Sequence, residues 1–432
     1  MRALPQALTV LLILAATAAR ADDWPQWRGP GRDGVWHETG VVEKFDGPEL
    51  KRVWRASVSG GYSGPTVAAG RVYVTDRVTE PAEMERVLAF DARTGRPLWT
   101  HAYACDYGPV GYKTGPRASV TIHDGRAYSL GTVGHFVCLD AATGEVLWQK
   151  DSVREYEAEI PTWGLAAAPL VEKDLVIAQI GGRGACLAAF DLRTGQERWK
   201  SLDDQPSYAA PIIIEHAGRR VLVAWTGVRI VGLDPATGEL LWEQPYEQPN
   251  WVISIASPVV SGDRLFGSSF YNGSIMLRLG KSPREVEKLW HRRGQNEQNT
   301  DALHALMCTP VFEGDYIYGV DSYGQLRCLE AATGDRVWED KTATSQIRWG
   351  NLHIVRHVPT GNHWLFNDRG ELLIGRLSPG GFEEIDRAKL LAPTKGQLSR
   401  RDGVTWSHPA FAGRHVFNRN DEELVCASLA AE

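Results

Sequence analysis

The 432 residues carry a formal charge of −6, with 23% charged and 43% hydrophobic residues. That balance excludes a disordered or membrane-embedded chain, and it lacks the basic face that bulk nucleic-acid binding requires. The length exceeds what one ordinary core supports, so the chain splits into domains or grows by repetition.

Residues 1–21 have the form of a secretory signal: Arg2, an apolar run from Ala7 to Ala19, then small residues before an expected cut after Ala21. The run is shorter than the ~20 residues a membrane span needs. No Cys follows it, so a lipid anchor is not expected, and the mature chain is expected in the periplasm or outside the cell. Residues 22–49, an arm rich in Trp, Pro and Gly, are expected to pin onto the body by aromatic burial. Its Arg28, Arg32 and Asp33 are expected to tie it there, since paired charges are more often structural than functional. From residue 50 the chain reads as one domain.

That domain is built on a repeat. LAFDARTGRPLW (88 to 99) returns as CLDAATGEVLW (138 to 148), AAFDLRTGQERW (188 to 199), VGLDPATGELLW (231 to 242) and CLEAATGDRVW (328 to 338). In each copy a strand-like run leads to an acidic residue that can accept from turn N–H groups. A Gly that tolerates positive φ follows, then a returning strand ending in Trp. Trp99, Trp148, Trp199, Trp242, Trp290 and Trp338 lie 43 to 51 residues apart. Such a period in an all-β chain predicts a β-propeller of four-stranded antiparallel blades, with the Trp filling gaps between them.

Blades are expected at 65–100, 118–150, 166–200, 207–243, 255–291, 307–340 and 350–391. The fifth and seventh are degenerate; the fifth replaces Thr-Gly with Lys281-Ser282-Pro283. The final segment, 406–429, supplies three strands, and KRVWRASV (51 to 58) is a strand without a blade. Pairing the two closes the ring and removes its free edges. The count is then eight, or seven if a degenerate unit is not a full blade. The chain is expected to be monomeric.

Cys138, Cys328, Cys426 and Cys186 sit in strands and are expected to be small buried hydrophobes. Cys105 and Cys308 lie in or near loops, where a bridge remains open. Without a C-x-x-C motif, neither a zinc nor a thiol-redox site is indicated.

Function is expected in the long loops that join one blade's last strand to the next blade's first, because these cross one face toward the axis. Their axis-proximal ends carry Tyr62, Arg117, Trp163, Tyr208, His304, Arg348, Trp349, Asn351, Arg401, Asp402 and Trp406. Converging aromatics and cations suit a flat, anionic, conjugated ligand; the same side chains would equally serve as a plug that rigidifies the channel. No catalytic residues or metal ligands are assigned: Glu157, Glu159, Asp203, Asp204 and Asp301 cannot be paired by sequence.

The LDxxTGxxxW repeats resemble the PQQ-like repeat of the quinoprotein alcohol dehydrogenase-like propellers over roughly residues 50 to 429. The arm DWPQWRGPGRDG and the ending WSHPAFAGRHVFNRNDEELVCASL resemble a secreted bacterial subgroup described as BamB-like or PQQ-binding-like. The resemblance implies either a non-catalytic binding or scaffold protein or a dehydrogenase that binds pyrroloquinoline quinone (PQQ) with calcium. A carbohydrate-binding or lyase-type propeller is a third option. The family's dehydrogenases use an adjacent Cys pair, absent here, and a Glu, Asn and Asp set around calcium that no motif here places. Protein or small-molecule partners are expected on the axial loop face.

Overall fold

The computed structural model describes residues 22–248, 250–399 and 401–431; the expected signal segment, 1–21, lies outside them. The chain forms eight antiparallel sheets around an axis, each of four consecutive strands save where the termini intervene. Both degenerate units are complete blades, at 259–292 and 352–389. The eighth blade takes its outer strand, Arg52–Ser57, from the start of the chain. That strand pairs with Glu423–Ser428 and sets Trp54 opposite Cys426. The one helix in the described residues is a single short turn, Ser152–Tyr156, and no helix there is long and apolar enough to cross a membrane.

The repeat motif works between blades. In the first copy, Asp91 Oδ1 accepts from the Thr94 amide at 2.9 Å and its hydroxyl at 2.7 Å, which shapes the turn. Gly95 then sits at φ +70, and a Cβ there would lie 2.5 Å from the ring of Trp54 in the preceding blade. Trp54 Nε1 donates to Ala92 O at 2.9 Å in the same turn. The arrangement recurs around the ring: Trp99 donates to Ala141 O, Trp148 to Leu192 O, Trp199 to Pro235 O and Trp290 to Ala331 O. Five of the eight blades thus hook a Trp over the Thr-Gly turn of the next. The Gly is required twice, for its backbone angle and for the ring that covers it. Trp338 reaches Ser378 O instead. Trp242, facing the Lys281-Ser282-Pro283 turn, has a buried Nε1 with no partner.

Apolar burial is likewise shared between neighbouring blades. Phe136 and Trp148 of blade two pack with Val176 and Phe190 of blade three. Val221 and Trp225 of blade four pack with Leu265 and Ile275 of blade five. The largest cluster joins blades seven, eight and one, where no repeat Trp leaves blade seven. The arm fills that seam. Trp36 is 1% exposed and packs on Trp364 and Phe411, while its short strand Val35–Trp36 pairs in parallel with Leu352–His357. All six cysteines are buried and free. The bridge left open between Cys105 and Cys308 is not formed; Cys308 Sγ accepts from the Leu352 amide at 2.9 Å and lies against Asn351 Oδ1.

Candidate functional site

Each blade's inner strand is preceded by a short approach to the axis, and the residue two positions before it is nearly always small. The series runs Gly64, Ser119, Ala168, Ala210, Ser257, Thr309, Gly350 and then His408. Small residues at equivalent positions of a ring leave a hole on the axis. The arm closes it from the face that carries the Thr-Gly turns. Trp24 bridges to Val67 and the Pro25 carbonyl accepts from the Ile122 amide at 2.8 Å, placing Trp27, two residues on, in the hole. Trp27 Nε1 donates to Ser257 Oγ at 3.2 Å, and its ring meets His408 edge-on at 4.5 Å.

Above this floor lies a cavity of about 190 Å³. All eight linking loops contribute to its wall, including Tyr62, Tyr112, Arg117, Trp163, Tyr208, Ile253, Leu306, Met307, Trp349 and Trp406. Six of the eleven residues expected at the axis line it: Tyr62, Arg117, Trp163, Tyr208, Trp349 and Trp406. Their rings form a loose cage. Tyr62 and Trp406 stand 6.4 Å apart, Trp349 and Trp406 6.5 Å, and Trp163 and Tyr208 5.6 Å. The buried Gln397 fixes one side: its Oε1 accepts from the Trp406 amide at 2.7 Å, and its own carbonyl accepts from the Tyr62 hydroxyl at 3.2 Å.

The other five do not line it; four of them are held by contacts within or between the loops, although Arg348 Nε and one Arg401 Nη stay without a partner. His304 is fully buried, between Phe270 O at 2.9 Å and the Gly294 amide at 3.2 Å. Burial lowers its pKa, in keeping with a hydrogen-bonding strut. Arg348 pairs with Glu297 at 2.7 Å and lies 4.6 Å over the Trp349 ring, so it positions that ring. Asn351 donates to Trp406 O at 3.3 Å. Arg401 pairs with Asp368 at 2.7 Å, and Asp402 is exposed on the same loop.

The lining residues that sequence reasoning missed include Trp27, Tyr112, Ile253, Ile255, Leu306, Met307, His353 and His408, with Ala166 and the small ring residues Ser119, Ala168 and Ala210. The one signal for the ring was its fixed offset from each inner strand. The two histidines sit 6.1 Å apart. His408 Nε2 is 2.7 Å from Ser119 Oγ, and His353 Nε2 is 2.9 Å from Trp406 O. Burial, relieved in part by Trp406 O and reinforced by Arg28, pushes His353 down to about 4. Burial, then His353 and Arg28, pushes His408 down to about 3. Both are therefore neutral near pH 7.

Among the described residues, Arg117 is the one charged side chain on the wall. Its guanidinium donates to Gly111 O at 2.7 Å and Tyr112 O at 2.6 Å, and it lies 5.0 Å over the Tyr62 ring. No carboxylate of the described residues lines the cavity. Among the described residues no three His, Cys, Asp or Glu side chains converge as metal ligands. A calcium-held quinone needs carboxylate ligands, so these residues do not fit that group. What they supply is aromatic surface, one fixed cation and two neutral imidazoles.

The fold and its axial cavity place the chain in a definite class, the propellers built from PQQ-like repeats. The family profile described as outer membrane protein assembly factor BamB matches residues 38–104 and 83–340, and the chain belongs to that family. The chain is 24% identical over 374 residues to the outer membrane protein assembly factor BamB of Burkholderia pseudomallei, covering 82% of this chain and 87% of the relative. It is 28% identical over 208 residues to the quinohemoprotein alcohol dehydrogenase of Comamonas testosteroni, covering 45% of this chain but only 28% of that enzyme. The crystal structure of that enzyme superposes with a TM-score of 0.65 at 15% identity, over 96% of this chain and 82% of the other. BamB from Moraxella catarrhalis gives a TM-score of 0.59 at 16% identity, over 89% and 98%. These two likenesses concern the fold.

Proposed function

We propose that the protein is a periplasmic propeller that binds a small ligand in its axial cavity without catalysis of its own. The observation that carries this reading is the composition of the cavity. All eight loops meet there, yet their described residues bring aromatic and aliphatic surface with a single guanidinium, and no carboxylate to serve as base or metal ligand. The two histidines are neutral and hydrogen-bonded into the wall, so they are poor proton acceptors near neutral pH. The signal-like segment 1–21 and the relatives named as outer membrane assembly factors support a place in the cell envelope.

The test is a titration of the purified chain with PQQ and calcium, followed by an alcohol-dependent assay with an artificial electron acceptor. The expected result is no dye reduction under any combination. Quinone absorbance that stays with the protein through gel filtration, together with alcohol-dependent dye reduction, would overturn the non-catalytic reading in favour of a dehydrogenase.

A further inference from the structure

Three guanidiniums surround the axial cavity, and among the described residues none is paired with a carboxylate. Arg117 stands in the wall and donates only to Gly111, Gly115 and Tyr112 carbonyls and the Thr132 hydroxyl. The other two come from the arm. Arg28 donates to Thr309 O at 3.2 Å and Asp33 O at 2.6 Å. Arg32 donates to Ala168 O at 3.0 Å, Pro169 O at 2.9 Å and Gln26 Oε1 at 3.2 Å. Both arm arginines are buried, at 8% and 7% exposure, and both hold left-handed backbone angles, φ 60 and φ 56. Ala168, whose carbonyl Arg32 holds, is itself part of the cavity lining.

We infer that the axial cavity selects a planar aromatic anion, and that the N-terminal arm, through Arg28 and Arg32 beneath the Trp27 floor, is part of the selecting apparatus. A buried cation bonded only to neutral oxygens projects its charge into its surroundings, offset in part at Arg28 by the nearby Asp33, and a low-dielectric wall transmits that field to the interior. Three such charges act on a space with no carboxylate in its lining. The field of Arg28 already reaches the cavity, since it adds to burial in holding both His353 and His408 below the ordinary histidine range. The Trp and Tyr cage accepts a flat ring system by stacking, and Arg117 supplies the direct contact for the anionic group. The cavity is blind because of Trp27, so the ligand enters and leaves by the loop face alone.

This inference rests on the cavity being a ligand site, and the test separates the two. The full-length mature chain is titrated calorimetrically with 2-naphthoate and with 2-naphthamide, which share a ring system and differ in charge. Naphthoate is expected to bind at least tenfold more tightly at low ionic strength, with the advantage shrinking as salt is added. Arg117→Gln should weaken naphthoate about tenfold and leave naphthamide within twofold; Arg117→Lys should restore much of the difference. Arg32→Gln should shift naphthoate in the same direction by a smaller factor. Equal affinity for the two probes in the wild-type chain, or a preference for the amide, overturns charge selection while leaving the cavity as a ligand site. Binding of neither at millimolar concentration overturns both readings. The wild-type comparison needs no variant to fold.

Discussion

Gly144 is the sharpest place to test the hooking of blades. It lies at φ +77, and a Cβ there would stand 2.6 Å from Cε3 and 2.7 Å from Cδ2 of Trp99. Gly125, in another turn of blade two, has nearly the same angle, φ +71, but nothing within 4 Å of its would-be Cβ. Alanine at either site bears the left-handed penalty, roughly 1–2 kcal/mol. Only Gly144→Ala must also displace an indole wedged between blades, an overpacking cost of about 1–3 kcal/mol. That displacement also strains the Trp99 Nε1 bond to Ala141 O, now 3.2 Å, a contribution of about 1 kcal/mol. Gly144→Ala should therefore destabilise the chain by about 2 kcal/mol more than Gly125→Ala. The measurement is equilibrium urea unfolding of both variants beside the wild type, followed by tryptophan fluorescence and far-UV circular dichroism. If the two variants lose the same stability, the Trp ring is not held by the glycine and the interlocking account of the repeat is wrong.

Trp290→Phe should cost about 1 kcal/mol more than Trp242→Phe, because only Trp290 has a bonded Nε1, to Ala331 O at 3.0 Å; equal losses in urea unfolding would count against the distinction. The pH dependence follows from the two cavity histidines. Their folded pKa values, about 4 and about 3, lie below the unfolded value of 6.5. The unfolded chain thus binds more protons, and the stability they contribute is fully present above pH 6.5 and lost as pH falls. At pH 4.5 the loss is about 3 kcal/mol for each. The groups facing them are each other, Arg28, Ser119 and Trp27, none of them an acid. His408→Gln should remove about half the slope between pH 6.5 and 4.5; an unchanged slope would refute the assignment.

The fold was legible because its motif carries interface information. Asp91 to Trp99 specifies a turn and the neighbour that will cover it, so five copies at a near-constant period determine a ring. Strand Arg52–Ser57 could be placed because it had no blade and the last blade lacked a strand. The site was legible only where large aromatics ended a loop. Trp163, Tyr208, Trp349 and Trp406 reach the cavity because nothing in their own loops could bury them. Arg348 and Arg401 share loops with Trp349 and Trp406, and His304 sits on the loop after blade five, but they find Glu297, Asp368 and Phe270 O nearby and become struts. Such local satisfaction depends on loop conformation, which residue type does not specify. Trp27 was hidden for another reason: it reaches the cavity from the opposite face, across a ring whose only sequence trace is a series of small residues.

The uneven distribution of hooks sets where the ring should open first. Trp54, Trp99, Trp148, Trp199 and Trp290 each bond a Thr-Gly turn, and the arm's Trp24 and Trp36 fill the seams around blade eight. The seam between blades four and five has neither. Its substitutes are the buried His216, with Nε2 at 3.0 Å from Gly280 O, and the pair between Arg284 and Glu239, whose side chains are about half exposed. A solvent-exposed pair contributes roughly 0–1 kcal/mol. In a ring of repeats each unit is stabilised mainly by its neighbours, so the weakest interface should open at the lowest free energy. Hydrogen exchange read by mass spectrometry should show amides near Leu279–Val286 exchanging before those of the equivalent turns at Asp140–Trp148, Asp191–Trp199 and Asp234–Trp242, each of which a Trp of the preceding blade covers. Earlier exchange at the latter turns, or uniform exchange around the ring, would mean that the shared apolar clusters, rather than the tryptophan hooks, set seam stability.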